Sequence, residues 1–204
     1  MTTLVLASQS PGRLFVLRNA GVEPQVHVSA VDEEAIEATM PEATPAELCL
    51  ALARAKAEAV ARSYASHPDV VVIGCDSVFD VDGQAFSKPD SPEQAWERWG
   101  VMMGRSGTLR TGHWLIRPAT GEAVGAVAST VVRMGDPTRE ELEAYLATGE
   151  PLRVAGGFTL DALGGAFVEG IDGDPSNVVG LSLPTVRRLL RELGVTWTDL
   201  WSSP

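Results

Sequence analysis

Short, unbroken apolar runs set the rhythm of this chain, and longer stretches that mix apolar and polar residues at helical spacing separate them. Leu4 to Ala7 and Val70 to Ile73 are such runs. The second is wholly β-branched, which suits a strand covered on both faces better than a half-solvated one. Its pattern carries on through Ser77, Val78 and Phe79 to a turn at Asp80 to Gly83, so Asp76 is expected near the carboxyl end of a core strand. Helices are expected where a cap residue precedes the periodic pattern: Ser10-Pro11 before a segment closing at Gly21, and Ser91-Pro92 before one reaching Met103. Thr44-Pro45-Ala46-Glu47 and Thr138-Arg139-Glu140-Glu141 are capping boxes. The first opens the longest helix, to about Ala65, with Leu48, Leu52, Ala55, Ala59 and Val60 as its stripe; the second opens a short helix that ends at Gly149. A last helix spans Pro184 to Leu193. Gln25 to Ala30 reads as a hairpin partner or edge strand, Thr108 to Ile116 and Val124 to Val132 as an antiparallel pair, and Ala166 to Ile171 as one more strand. Val31 to Thr44 reads as an acidic turn followed by a long polar loop. Strands alternating with helices predict an α/β fold, and 204 residues suffice for one domain.

The formal charge of -11 argues against a protein that coats nucleic acid with a basic surface, although a few convergent cations can still hold a small polyanion. Cys49 and Cys75 form no CxxC pair and sit in apolar surroundings, as reduced, buried thiols do. The N-terminal MTTLVLAS lacks a basic leader, and no window is apolar enough to span a membrane, so a cytoplasmic protein is expected.

Four places carry candidate chemistry. Asp76 reads either as a strand-end cap for the next turn or as a metal ligand or general base in the crevice beyond the strand ends. Lys56 and Lys88 are the only lysines among 16 basic residues. Where arginine is the default cation, a lysine suggests a compact point charge, for example on phosphate; for Lys56, set beside the helix stripe, snorkelling to water is the alternative. The turn Ser8-Gln9-Ser10-Pro11-Gly12-Arg13, between a strand and a helix N-terminus, is an ordinary capped junction or an anion site. Asp32, Glu33 and Glu34 make a solvated turn, or one of them joins Asp76 as a hard-oxygen pair suited to Mg²⁺ or Mn²⁺. His113, alone in a strand, reads as structural, and no His/Cys cluster offers a zinc site. The Gly- and Asp-rich stretch after Pro151 reads as loops around a ligand, or as flexible surface loops.

Taken in order, LASQSPGR, VDE, ARAKA, GCDSV with FSKP, GEPLRVAGGFTL and IDGDPSNVVGLSLP resemble the Maf family of nucleotide pyrophosphatases over nearly the whole chain. The resemblance implies a mixed, twisted sheet flanked by helices, in two lobes around a central cleft, as in inosine triphosphatase-like folds. It implies hydrolysis of a nucleoside triphosphate, a non-canonical or pyrimidine one, to monophosphate and pyrophosphate, with a divalent cation, Mg²⁺ or Mn²⁺, by a cytoplasmic homodimer. Asp76 then matches the catalytic acid, Glu33 the loop carboxylate that shares its metal, Lys56 and Lys88 the two lysines, and Ser8, Ser10 and Arg13 the phosphate-binding turn. The chain departs from the family pattern in three places. Gly12 stands where an arginine is common, so one phosphate contact is missing or is supplied elsewhere, with Arg105 or Arg110 as substitutes; Ser77 follows the acid where threonine is usual; and Asp161 replaces the glutamine of members that prefer thymidine and uridine triphosphates. A weakly active nucleotide sensor or cell-division regulator is the alternative function.

Overall fold

The computed structural model describes residues 2–201. Among these, seven strands form one mixed sheet: β1 (Thr3–Leu6), β2 (Gln25–Val26), β3 (Val70–Val81), β4 (Gln84–Phe86), β5 (Ser106–Ile116), β6 (Ala123–Met134) and β7 (Val168–Asp172), in the order β2-β1-β3-β5-β6-β7 with β4 on β3. β1 runs parallel to β2 and β3, while β5, β6 and β7 follow in antiparallel succession. β4 folds back on β3 through Asp82 and Gly83, whose φ of 51° and 86° give the tight hairpin turn that matches strand twist. The helices are α1 (Pro11–Asn19), α2 (Glu33–Ala38), α3 (Pro45–Ala61), α4 (Pro92–Met102), α5 (Arg139–Ala147), α6 (Pro175–Val178) and α7 (Leu183–Glu192), and among the described residues no helix is long and apolar enough to cross a membrane.

β3 is the spine, and its two edges differ. One edge pairs with β5 from Val72 to Asp80. The other pairs with β1 from Val70 to Ile73 and with β4 from Phe79 to Val81, so Gly74 to Val78 have no strand beside them. At roughly 3.3 Å per residue this leaves an opening of about 17 Å in the sheet. Hydrophobic clusters close on either end of it. At the β1 end, Leu4, Leu6, Val71 and Ile73 pack against Leu17 of α1 and Val186, Leu189 and Leu190 of α7. Val5, Val70 and Val72 pack against Ala57 and Val60 of α3 on the other face. At the β4 end the core is aromatic: Phe79, Phe86, Trp99, Tyr145 and Phe158 with Leu109 and Met134. These are the two lobes, and the open edge of β3 is the cleft between them.

α3 lies unusually close to the sheet. A Cβ added to Gly74 would fall 2.1 Å from the Ala53 carbonyl oxygen, and one on Gly112 would fall 2.3 Å from that of Cys49. Only glycine lets the helix rest there. Its N-terminus is fixed by the Thr44–Glu47 capping box, a feature worth about 1 kcal/mol.

Several expectations need correction. The polar loop after Val31 contains α2, because Asp32 accepts a hydrogen bond from the Ala35 N–H as an N-cap, and acids fill the first turn. Gln25 to Ala30 yields only the two-residue β2, which pairs in parallel and forms no hairpin. The buried stripe of α3 is Cys49, Leu52, Ala53, Lys56, Ala57, Val60 and Ala61, rotated from the expected one because small residues face the glycines of the sheet. Asp76 is not at a strand end. It sits in the middle of β3, where the neighbouring strand has run out. Of the two C-terminal tryptophans, Trp197 packs on the first core and Trp201 bridges to Val22.

Candidate active site

Successive strand residues leave a sheet on opposite faces, so Asp76 and Ser77 point to opposite sides of β3. On the α3 face, Lys56 is drawn into the buried stripe by an ion pair: its Nζ lies 2.6 Å from Asp76 Oδ1 and 2.9 Å from Glu33 Oε2. Of the two readings of Lys56, snorkelling to water fails, since Lys56 is 7 % exposed and Asp76 9 %. Burial pushes the Asp76 carboxyl up from the usual aspartate range, against the pull of the Lys56 and Arg13 charges. Glu37, one helical turn beyond Glu33 in α2, is also pushed up, first by partial burial and then by the charge of Asp76.

On the opposite face Arg13, 9 % exposed, is gripped at three points. Its Nε donates to the Gly180 carbonyl at 2.9 Å, Nη1 to Ser8 Oγ at 3.0 Å and Nη2 to Ser77 Oγ at 3.2 Å. Ser77 Oγ lies 2.9 Å from Thr111 Oγ1, which donates to the Asn177 carbonyl. The Asn177 amide in turn donates to the Leu109 carbonyl and to Thr130 Oγ1. Ser10 caps α1 by accepting from the Arg13 N–H, and the Ser10 N–H donates to Ser8 Oγ. Ser8 thus accepts two hydrogen bonds and keeps its own O–H free to donate.

From the second lobe, Lys88 lies exposed just beyond β4, with no hydrogen bond or ion pair among the described residues. The β3/β4 register, Phe79 to Phe86, would bring it opposite Ser77 if the ladder continued. Asp161 is exposed in the turn that follows Phe158, in the same lobe. Arg105 and Arg110 are engaged elsewhere, with Asp82 and with Asp80 (3.0 Å) respectively. Arg110 shares the Asp76 face, because it pairs with Val78. The absence of a side chain at position 12 has a steric reason: a Cβ there would sit 2.9 Å from the Val179 carbonyl oxygen.

Among the described residues no group of three or more His, Cys, Asp and Glu is arranged to hold a metal ion. The donors at the cleft are the two carboxylates of Asp76 and Glu33, already bridged by the Lys56 ammonium. That set fits Mg²⁺ or Mn²⁺, which accept one or two carboxylates and complete their shell with water and phosphate oxygens. A groove of about 590 Å³ between α4 and α5 is lined by Pro92, Trp96, Leu146 and three glutamates, the wrong surroundings for a polyanion. Both thiols are inert, since burial pushes Cys49 to about 12 and Cys75 to about 11. His113 is buried and accepts from the Ser182 N–H, and burial with the nearby Arg13 charge lowers it to about 4.

Thr111, Asn177 and Gly180 belong to the site, yet the residue pattern did not single them out. They reach it only through contacts distant in sequence. For Gly180 the φ of +112° is the local sign that only glycine fits.

A family model described as Maf-like protein matches residues 3–193. A Streptomyces coelicolor protein called nucleoside triphosphate pyrophosphatase is 58 % identical over 98 % of this chain and 94 % of its own. Proteins of the same name from Saccharopolyspora erythraea (54 %, covering 98 % and 97 %) and Rhodococcus jostii (53 %, covering 100 % and 98 %) are close behind. A crystal structure of a nucleoside-triphosphatase, dITP/XTP pyrophosphatase, from Mycobacterium abscessus overlaps 65 % of this chain and 74 % of its own at 15 % identity, with a TM-score of 0.36, too low to bear on the fold.

Proposed function

The chain belongs to the Maf-like protein family, and from that premise we propose that it hydrolyses a nucleoside triphosphate to the monophosphate and pyrophosphate in the open edge of β3. One observation carries this reading. Asp76 with Lys56 on one face of the strand, and Arg13 with Ser77 on the other, can meet a single ligand only where no strand stands beside β3, and that is where they lie. Asp76 acts as general base: its buried carboxylate, raised by desolvation, takes a proton from water as that water strikes the α-phosphorus in line and the bond to the leaving pyrophosphate breaks. Arg13 and Lys56 from the first lobe hold phosphate oxygens and stabilise the charge that builds as the bond opens, while Lys88 from the second lobe holds phosphate oxygens equally before and during that step. The Ser8 hydroxyl donates to the same phosphates, and Ser10 holds the turn beneath them. Glu33 and Asp76 would hold the Mg²⁺ or Mn²⁺, which would neutralise part of the triphosphate's charge. The substrate is a non-canonical or pyrimidine nucleotide, with Asp161 contacting the base where other members have glutamine.

Family membership supports a homodimer, and the reduced, buried thiols support the cytoplasm. The net charge supports free nucleotides as substrates in place of nucleic acid or membrane. The two cores share β3, which supports reading residues 1–204 as one domain. The test is pyrophosphate release over a panel of canonical and modified nucleoside triphosphates with Mg²⁺ and Mn²⁺. Release from at least one of them is expected; tight nucleotide binding without release would favour a sensor instead, as the loss of a cation at Gly12 would permit.

A further inference from the structure

We propose that Arg98, in α4, is a positioning residue for Lys88: it fixes the lysine's backbone over the open edge of β3 by holding the Ser87 carbonyl. This deepens the reading above, since it takes Lys88 to be a phosphate ligand. Lys88 has no side-chain partner among the described residues, so its placement rests on the backbone of its neighbours. That backbone is clamped on both sides. The Ser87 carbonyl accepts from Arg98 Nη1 and from the Gly156 N–H, the latter at 3.3 Å. Pro89 rests on Gly157, where an added Cβ would lie 3.3 Å from its ring, and the Gly157 carbonyl accepts from Trp99 Nε1 at 2.9 Å. Gly156 and Gly157 have φ of 73° and 70°, and a Cβ on Gly156 would fall 2.8 Å from Phe79 Cβ. The glycine turn is therefore pressed against β3, and the strap carrying Lys88 is pressed against the turn.

Arg98 is an unusual choice for this task. In a chain with 27 acidic residues its guanidinium takes a backbone carbonyl, and it lies 5.7 Å from the centroid of the buried Phe86 ring. Partial burial weakens its hold on the proton, against the pull of the nearby Asp90 charge. A planar fork seated on an aromatic ring points its N–H groups in a fixed direction, which a flexible ammonium does not do. Arg98 therefore acts on the height and direction of the strap, and it needs no contact with substrate.

The test is a double-mutant cycle on pyrophosphate release. Arg98→Ala is expected to raise KM for the triphosphate about tenfold with kcat within about twofold, the signature of lost uniform binding. In a Lys88→Ala background the same change should have no further effect, because the group it positions is gone. An unchanged KM in Arg98→Ala, or an equal added loss in the Lys88→Ala background, would overturn the proposal. Arg98→Lys, the variant to use if Arg98→Ala does not fold, should raise KM in the same way; a wild-type KM in it counts against the clamp. Amide exchange over residues 84–90 gives a readout independent of turnover. It should quicken in Arg98→Ala, and unchanged exchange would overturn the proposal even if the wild-type protein released no pyrophosphate, a result that by itself would sink only the hydrolase reading.

Discussion

The two banks of the cleft hold their cations by opposite means. On the β1 bank, Arg13 and Lys56 are buried and tied side chain to side chain, to Ser8 and Ser77 and to Asp76 and Glu33. On the β4 bank, Lys88 stands in solvent on a backbone strap. A buried charge network is rigid but costly, because a group left without its partner keeps its full desolvation penalty. An exposed lysine costs the fold little, and it is placed only as well as its backbone is placed. The first bank is therefore set by side-chain contacts before substrate arrives, while on the second only the backbone is held and the ammonium has its own flexible stem to reach a phosphate.

The largest effect is expected at Asp76. Asp76→Asn is expected to lower pyrophosphate release by about a thousandfold while the chain still folds, at a lower Tm because the buried Lys56 ammonium keeps only the half-exposed Glu33 as its ionic partner. A turnover near wild type would remove Asp76 from the chemistry. Lys56→Met comes next. Stripping two carboxylates of their shared ammonium should destabilise the fold by about 3 kcal/mol, on the order of 10 °C in Tm for a chain of this size, besides costing activity. Lys88→Ala should lose activity through KM by about tenfold, yet leave stability within about 0.5 kcal/mol. If thermal melts show equal losses for the two lysine variants, the contrast between the banks is wrong.

The effect with the least bearing on turnover is a pH dependence of stability confined to the first bank. Folding lowers His113 from its ordinary value of 6.5 to about 4, so between those values the unfolded chain binds a proton that the folded chain refuses. Its contribution is present above pH 6.5 and is lost as pH falls towards 4, on the order of 3 kcal/mol in full. His113→Gln, whose amide oxygen can accept from the Ser182 N–H, should flatten the acid loss in urea melts between pH 6.5 and 4 without changing KM.

Much of the fold was written locally. Ser10, Thr44, Ser91 and Thr138 each cap the helix expected from them, because a cap adjoins its helix and the N–H it binds lies only three positions on. Asp82-Gly83 makes the hairpin that its turn chemistry demands. α2 was missed because its apolar pattern is weak, with no buried residue to mark a face. The site was legible in its charged residues, as scarce lysines and an acid in a buried strand are anomalies visible one at a time. Its support was not. Arg13 leans on Gly180, 167 positions away, and Asn177 reaches Leu109 across 68, contacts that no local rule reports. The meaning of mid-strand Asp76 likewise depends on where β1 stops, a property of a different segment.

Two missing methyl groups, at Gly74 and Gly112, decide how deep the long helix sinks. Anyone grafting this pocket onto another scaffold would therefore have to copy positions that never meet a nucleotide. Raise that helix by the thickness of an alanine side chain and the ammonium it carries would hang short of its aspartate, with every reactive group still present.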